Sequence, residues 1–267
     1  MPRRGSLTAP IGVFDSGVGG LSVLREIRRE LPDEHLLYVA DSGYAPYGDR
    51  PSDFIADRST AIVDFLIAHH AKAIVVACNT ATAVAVAALR QRFALPIVAI
   101  EPAVKPATAT TRSGVVGVLA TTQTLSSAKF ARLVDQYARG ATVLTQACPG
   151  LVEQVESGDL SGPRARAMLD AYVRPLIDAG ADTLVLGCTH YPFLGALIAE
   201  IAGEGVTVID PAVAVARELR RRLNAEDLLN TTCEPGTERF WTSGPVDRIG
   251  PVIARLWAQE VTVEAYA

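Results

Sequence analysis

Two of the four cysteines in this 267-residue chain sit where a sequence can place chemistry. Cys78 closes the apolar run AIVVAC (73–78) and is followed by Asn79 and Thr80, while Cys188 closes TLVLGC (183–188) and is followed by Thr189 and His190. Short apolar runs of this kind read as buried strands, and ligands of open α/β sheets bind beside the carboxyl ends of strands. A helix beginning there turns free backbone N–H groups toward the ligand. A helix terminus plus one hydrogen bond can supply the roughly 2 kcal/mol needed to bring a thiol from about 8.5 to about 7. A single cysteine at a strand end reads more simply as a small buried hydrophobe. Two in matching positions, each followed by hydroxyl or amide residues, point to a reaction. Thiols facing one carbon from two sides suit racemisation, in which a thiolate takes a proton from one face and a thiol returns one to the other. Cys148 and Cys233 lack this setting and read as structural.

The remaining candidates follow other apolar runs. IGVF (11–14) leads into DSGVGG (15–20), whose glycines do not fall in the Gly-x-Gly-x-x-Gly register and are not followed by Gly-Lys-Ser/Thr, so a nucleotide site is not indicated. The loop can instead hold a carboxylate through backbone N–H groups, with Asp15 and Ser16 beside it. Asp15 reads equally as a helix cap or Asx-turn. DSGYAPYGDRP (41–51) offers Tyr47 and Gly48 as a wall and a backbone donor, although spacing alone makes it a surface turn. His190 can assist proton transfer or, as a cation, raise the thiolate fraction of its neighbour. Glu153 follows the strand that ends near Ala147, and nothing in the residues separates it from Glu156. A zinc site of Cys78, Cys188 and His190 is the metal alternative. No lysine adjoins either cysteine, and the three present are Lys72, Lys105 and Lys129, which argues against pyridoxal phosphate.

These positions depend on an alternation of short strands and longer helices. Strands are predicted at 11–14, 35–41, 73–78 and 96–100, with helices over 21–31, 58–70 and from 79 to about 93. The pattern then repeats. GVVGVLATTQT (114–124) is similar to PIGVFDSGVGG (10–20), ATVLTQACPG (141–150) to HLLYVADSGY (35–44), and TLVLGCTHYP (183–192) to AIVVACNTAT (73–82). Three matches in one order, at nearly one offset, indicate an internal duplication. The expected architecture is two pseudo-symmetric, doubly wound parallel-sheet α/β domains with the active site in the cleft between them. Residues 1–10 form a loose tail in this reading. Residues 11–101 with 210–267 form the first domain, and 102–209 form the second, with VTVID (206–210), RFWTSG (239–244) and a helix over 245–257 near the C-terminal end.

Bulk properties narrow the class. Hydrophobic residues make up 49% of the chain and charged residues 20%, as in ordinary globular enzymes, and the net charge of −4 with no concentrated basic stretch gives no nucleic-acid footprint. No apolar run reaches 18 residues, so no membrane span is expected. The start, MPRRGSLTAP, lacks the apolar segment of a secretion signal, and a cytoplasmic location with reduced thiols is the expectation.

The segments FDSGVGGLSVL (14–24), ADSGYAPYGDR (40–50), VVACNTAT (75–82) and LVLGCTHYPFL (184–194) together resemble the bacterial glutamate racemases of the aspartate/glutamate racemase superfamily. The resemblance implies cofactor-independent, two-base interconversion of L- and D-glutamate, supplying D-glutamate for peptidoglycan. It implies Cys78 as the base for the D-enantiomer and Cys188 for the L-enantiomer, with Asp15, His190 and Glu153 as assisting acid/base groups. Asp15, Ser16, Tyr47, Gly48, Asn79, Thr80, Thr121, Thr189 and His190 are the implied substrate contacts. It further implies a homodimer, and it admits DNA gyrase as a partner, since some members of the family bind it as a second activity. Two other readings stand beside it. A relative acting on aspartate, hydantoins or maleate would use the same cysteines, whereas a two-lobed amino-acid-binding protein would need no paired thiols.

Overall fold

The computed structural model describes residues 7–138 and 140–266; the first six residues of the expected tail lie outside them. Each apolar run becomes a strand and each periodic stretch a helix. The order is β1 (Ile11–Asp15), α1 (Leu21–Glu30), β2 (Leu36–Ala40), α2 (Ser52–Ala68), β3 (Ala73–Val76), α3 (Asn79–Arg92), β4 (Ile97–Ala99) and α4 (Val104–Thr110). There follow β5 (Val115–Ala120), α5 (Thr122–Ser126), α6 (Ala128–Tyr137), β6 (Thr142–Ala147), α7 (Leu151–Glu156), α8 (Pro163–Asp178), β7 (Thr183–Leu186), α9 (Gly195–Ala202) and β8 (Thr207–Ile209). The chain ends with α10 (Ala212–Ala225), β9 (Glu238–Thr242), α11 (Val246–Trp257) and β10 (Val263–Ala265).

The strands form two parallel sheets, ordered β10-β9-β2-β1-β3-β4 and β6-β5-β7-β8. The run β2-β1-β3-β4 is repeated strand for strand by β6-β5-β7-β8, so the duplication read from three sequence matches is a duplication of topology. The result is two parallel-sheet α/β domains. The C-terminal strands return to the first sheet, where β9 pairs with β2 and β10 with β9.

Alternation along the strands decides which helices cover which face. In the first sheet Ile11, Val13, Tyr38 and Val75 point to α1, α10 and α11, while Phe14, Val39, Ile74 and Val76 point to α2 and α3. In the second, Val116, Val118 and Val185 meet Val104 and Phe130, and Leu119, Leu184 and Leu186 meet α8 and α9. One apolar cluster runs from α1 and α10 through to α8 and α9, so the two domains share a continuous core on that side. No helix among the described residues is long and apolar enough to cross a membrane.

Two elements differ from the sequence reading. The helix expected over 58–70 begins at Ser52, directly after Pro51, with Asp53 in its first turn complementing the helix dipole. No α-helix starts beside Cys188. Tyr191–Leu194 is a 3₁₀ turn containing Pro192, and α9 begins only at Gly195.

Candidate active site

The end of β3 and the start of α3 place Cys78. It is the N-cap of α3 with extended backbone, and its Sγ accepts the Ala81 N–H at 3.4 Å and donates to Ser16 Oγ at 3.7 Å. The side chain is buried. Burial, with the Asp15 charge next in weight, pushes its pKa well above the ordinary thiol value, and the Ala81 N–H and the Ser16 hydroxyl only partly offset this. The helix terminus expected to favour a thiolate is therefore present but outweighed, and Cys78 is held as a thiol. Asn79, the first residue of α3, has neither side-chain polar atom hydrogen-bonded among the described residues although it is 4% exposed. A buried amide left unpaired is costly, so a ligand is its natural partner.

Cys188 lies beyond β7, after Gly187, with its Sγ 3.8 Å from His190 Nδ1. His190 is 1% exposed, and its Nε2 meets Glu156 Oε1 at 2.7 Å. Burial works against an imidazolium here. Hydrogen bonds with Cys188 and Glu156, and the charges of Cys188 and Asp15, outweigh it and raise the pKa well above the usual histidine value. The turn that carries Thr189 and His190 is tied to the first domain by Ser22, whose hydroxyl donates to the Thr189 carbonyl at 2.9 Å.

The DSGVGG loop does bind a carboxylate through its backbone, but one belonging to the protein. The Val18 N–H donates to Glu156 Oε1 at 2.7 Å, and Ser42 Oγ donates to Glu156 Oε2 at 3.0 Å. Glu156, at the end of α7 in the second domain, thus clasps two loops of the first while pairing with His190. A side chain at Gly17 would collide with the Glu156 carboxylate, and one at Gly19 with the His190 ring, so both positions need glycine for close approach. Asp15 is fully buried beneath the loop. It accepts the Gly20 N–H at 2.8 Å and the Thr189 hydroxyl at 3.4 Å, and its Oδ2 lies 3.9 Å from His190 Nδ1. Burial raises its pKa, and the His190 charge and the Gly20 N–H counter that.

The 45–48 loop crosses from the first domain to the second. Tyr47 is 1% exposed, and Gly48 packs against Thr121 at the start of α5. Thr80, Thr121 and Thr124 join their hydroxyls across the same junction at 3.0–3.3 Å.

Many of these groups meet at one cavity. Cys78, Cys188, Ser16, Tyr47, Gly48, Asn79, Thr80, Thr121, Thr189 and His190 line it, together with Pro46, Val152 and Gly187. It measures about 10 Å³, room for roughly one water. Of the residues expected in the site, Asp15 supports it from below. Glu153 is exposed and lines the adjoining outer cavities rather than the space between the thiols. Its carboxylate makes no hydrogen bond among the described residues, whereas Glu156, one turn later on α7, reaches His190. Sequence reasoning did not single out Ser22, Ser42 or Glu156, because each acts across the domain boundary and no local pattern marks that. Among the described residues, no group of three or more His, Cys, Asp and Glu side chains is arranged to hold a metal ion.

The chain is similar to known proteins over nearly its whole length. A family model described as Asp/Glu/hydantoin racemase matches residues 11–219. A glutamate racemase of Methylococcus capsulatus is 56% identical over 248 residues, 93% of this chain and 92% of that one. Among solved structures, a glutamate racemase isoform of Bacillus anthracis superimposes with a TM-score of 0.90 at 34% identity, covering 98% of both chains. The Escherichia coli glutamate racemase, solved with L-glutamate and the activator UDP-MurNAc-Ala, gives 0.85 at 33% identity, covering 97% of this chain and 98% of that one.

Proposed function

The chain belongs to the Asp/Glu/hydantoin racemase family, as a racemase of its glutamate branch, and from that premise we propose that it interconverts L- and D-glutamate through two thiols, without a cofactor. The observation that carries the reading is that Cys78 and Cys188, from equivalent strands of two duplicated domains, line one cavity. With L-glutamate seated, Cys188 acts as thiolate and takes the α-proton, while Cys78 returns one to the opposite face; D-glutamate runs the steps in reverse. The burial that holds Cys78 as a thiol suits it as the donor in the first direction. The imidazolium of His190 puts a positive charge beside Cys188, and Glu156 and Asp15 hold that charge in place. Ser16, Asn79, Thr80 and Thr189, with the Gly48 N–H, are neutral donors for the substrate carboxylates.

Residues 11–101 with 210–267 are the first domain in this reading and 102–209 the second, which the sheet membership of the strands supports. A cytoplasmic homodimer that supplies D-glutamate for peptidoglycan completes it, on the strength of the sequence resemblance. The test is a substrate panel with the purified chain and no added cofactor, followed by polarimetry. Racemisation of both glutamate enantiomers but not of aspartate is expected, and a chain that racemises aspartate and leaves glutamate unchanged overturns the reading.

A further inference from the structure

Arg58 lies on α2, outside the cavity, yet it is joined to it by an unbroken chain of contacts. Its Nε donates to Asp41 Oδ2 at 3.0 Å and its Nη2 to Asp41 Oδ1 at 2.6 Å, so the guanidinium fork grips both oxygens of a fully buried carboxylate. Asp41 Oδ2 also accepts the Tyr47 hydroxyl at 2.5 Å. Tyr47 lines the cavity beside Cys78. Behind the fork, the guanidinium carbon stands 4.0 Å from the Tyr44 ring centre and 5.5 Å from that of Tyr266. Tyr266 is itself fixed, 7% exposed and donating its N–H to the Thr242 carbonyl at 2.7 Å. The two rings hold the guanidinium by cation–π contact, and the bidentate bond sets the plane of the Asp41 carboxylate.

We infer that Arg58, braced by Tyr266 just beyond β10, is a positioning residue that acts through Asp41 to hold Tyr47 and Gly48 in substrate-binding geometry. The inference rests on the glutamate reading of the site. A buried carboxylate is stable only when paired. Without the fork, nothing sets the plane of the Asp41 carboxylate, and the Tyr47 hydroxyl loses the fixed acceptor that holds its ring. Lysine offers one point charge and cannot grip both oxygens at once. The defect therefore falls on substrate binding and spares the thiols, which Arg58 does not touch.

The test is kcat and KM for both glutamate enantiomers in R58K, R58Q and Y266A, each alone and with Y47F, with circular dichroism melts to establish folding. R58K is expected to raise KM about tenfold, the loss of one positioned hydrogen bond, with kcat within about threefold of the parent. Y266A shifts KM in the same direction by less. In the Y47F background the effect of R58K disappears, because the hydroxyl through which it acts is gone. If R58Q does not fold, R58K and Y266A decide the matter. An unchanged KM in folded R58K, or a KM increase of the same size in the Y47F background, overturns the inference. A parent chain that does not racemise glutamate overturns the reading beneath it instead.

Discussion

Glu156→Gln isolates the electrostatic part of the interdomain clasp. In the parent, Glu156 Oε1 receives Val18 N–H and His190 Nε2–H, both at 2.7 Å, and Oε2 receives the Ser42 hydroxyl at 3.0 Å. A glutamine that keeps its oxygen toward His190 retains the first two bonds, and its NH₂ can donate to Ser42 in place of the third. Shape survives and the charge is lost. Hydrogen bonds to charged groups contribute about 1.5–3 kcal/mol net against about 1 for neutral pairs. The imidazolium thus loses on the order of 1.4 kcal/mol, one pKa unit. His190 begins from a pKa well above the usual value, the result of its contacts with Cys188, Glu156 and Asp15 outweighing burial. The basic limb of kcat/KM against pH should move about one unit toward neutrality in Glu156→Gln, and the imidazole resonance followed by NMR should move with it. Stability follows the same sign. A group with a raised folded-state pKa contributes fully below its unfolded value and loses that contribution as pH rises through the folded one. The variant should therefore lose it at lower pH than the parent. Glu153→Gln is the control, since that carboxylate is exposed and away from the ring. The reasoning fails if the limb stays in place in Glu156→Gln, or if it moves in Glu153→Gln instead.

Cys78→Ala and Cys188→Ala should each abolish racemisation while near- and far-ultraviolet circular dichroism stay native, and near-parental turnover in either contradicts the two-thiol assignment. Gly19→Ala forces a methyl into the His190 ring. It should cost about 1–3 kcal/mol, as overpacking does, seen as a fall of several degrees in Tm together with lost activity; a parental melt would mean that the ring has room to move. Lys72 and Glu34 form a buried ion pair at 2.6 Å with side chains 0% and 2% exposed. Lys72→Met should destabilise by about 3–5 kcal/mol in urea titration, and adding Glu34→Leu should recover much of that; a single variant as stable as the parent would show that the pair is dispensable.

Much of the fold was legible because its signals are local and repeated. Apolar runs such as IGVF and AIVVAC read as buried strands, and three matched segments reported a duplication that the strand orders repeat. The strand β10 went unread because three mostly exposed residues carry no periodicity. After Cys188 the second half departs from the first: a 3₁₀ turn over Tyr191–Leu194 stands where the Cys78 half begins α3, and short-range pattern does not distinguish the two. In the site, Cys78, Cys188 and the residues flanking them were legible from strand-end position. The partner of His190 was not. Glu153 and Glu156 sit one turn apart on α7, and only the docking of one domain on the other shows which carboxylate meets the ring. The DSGVGG loop carried a correct physical signal, free N–H groups suited to a carboxylate, but its sequence could not say whether that carboxylate belongs to a ligand or to Glu156.

The central claim is that two sulfurs, each able to exchange its proton with solvent, serve opposite faces of one α-carbon. Incubating L-glutamate with the enzyme in D₂O, with no cofactor added, and following each enantiomer by chiral separation and mass spectrometry tests it most directly. The account predicts D-glutamate deuterated at the α-carbon from the first turnovers, while the remaining L-glutamate stays protiated, and the mirror result when D-glutamate is the substrate. A product that retains the substrate's own α-proton would mean that one base carries the proton across, and would contradict it.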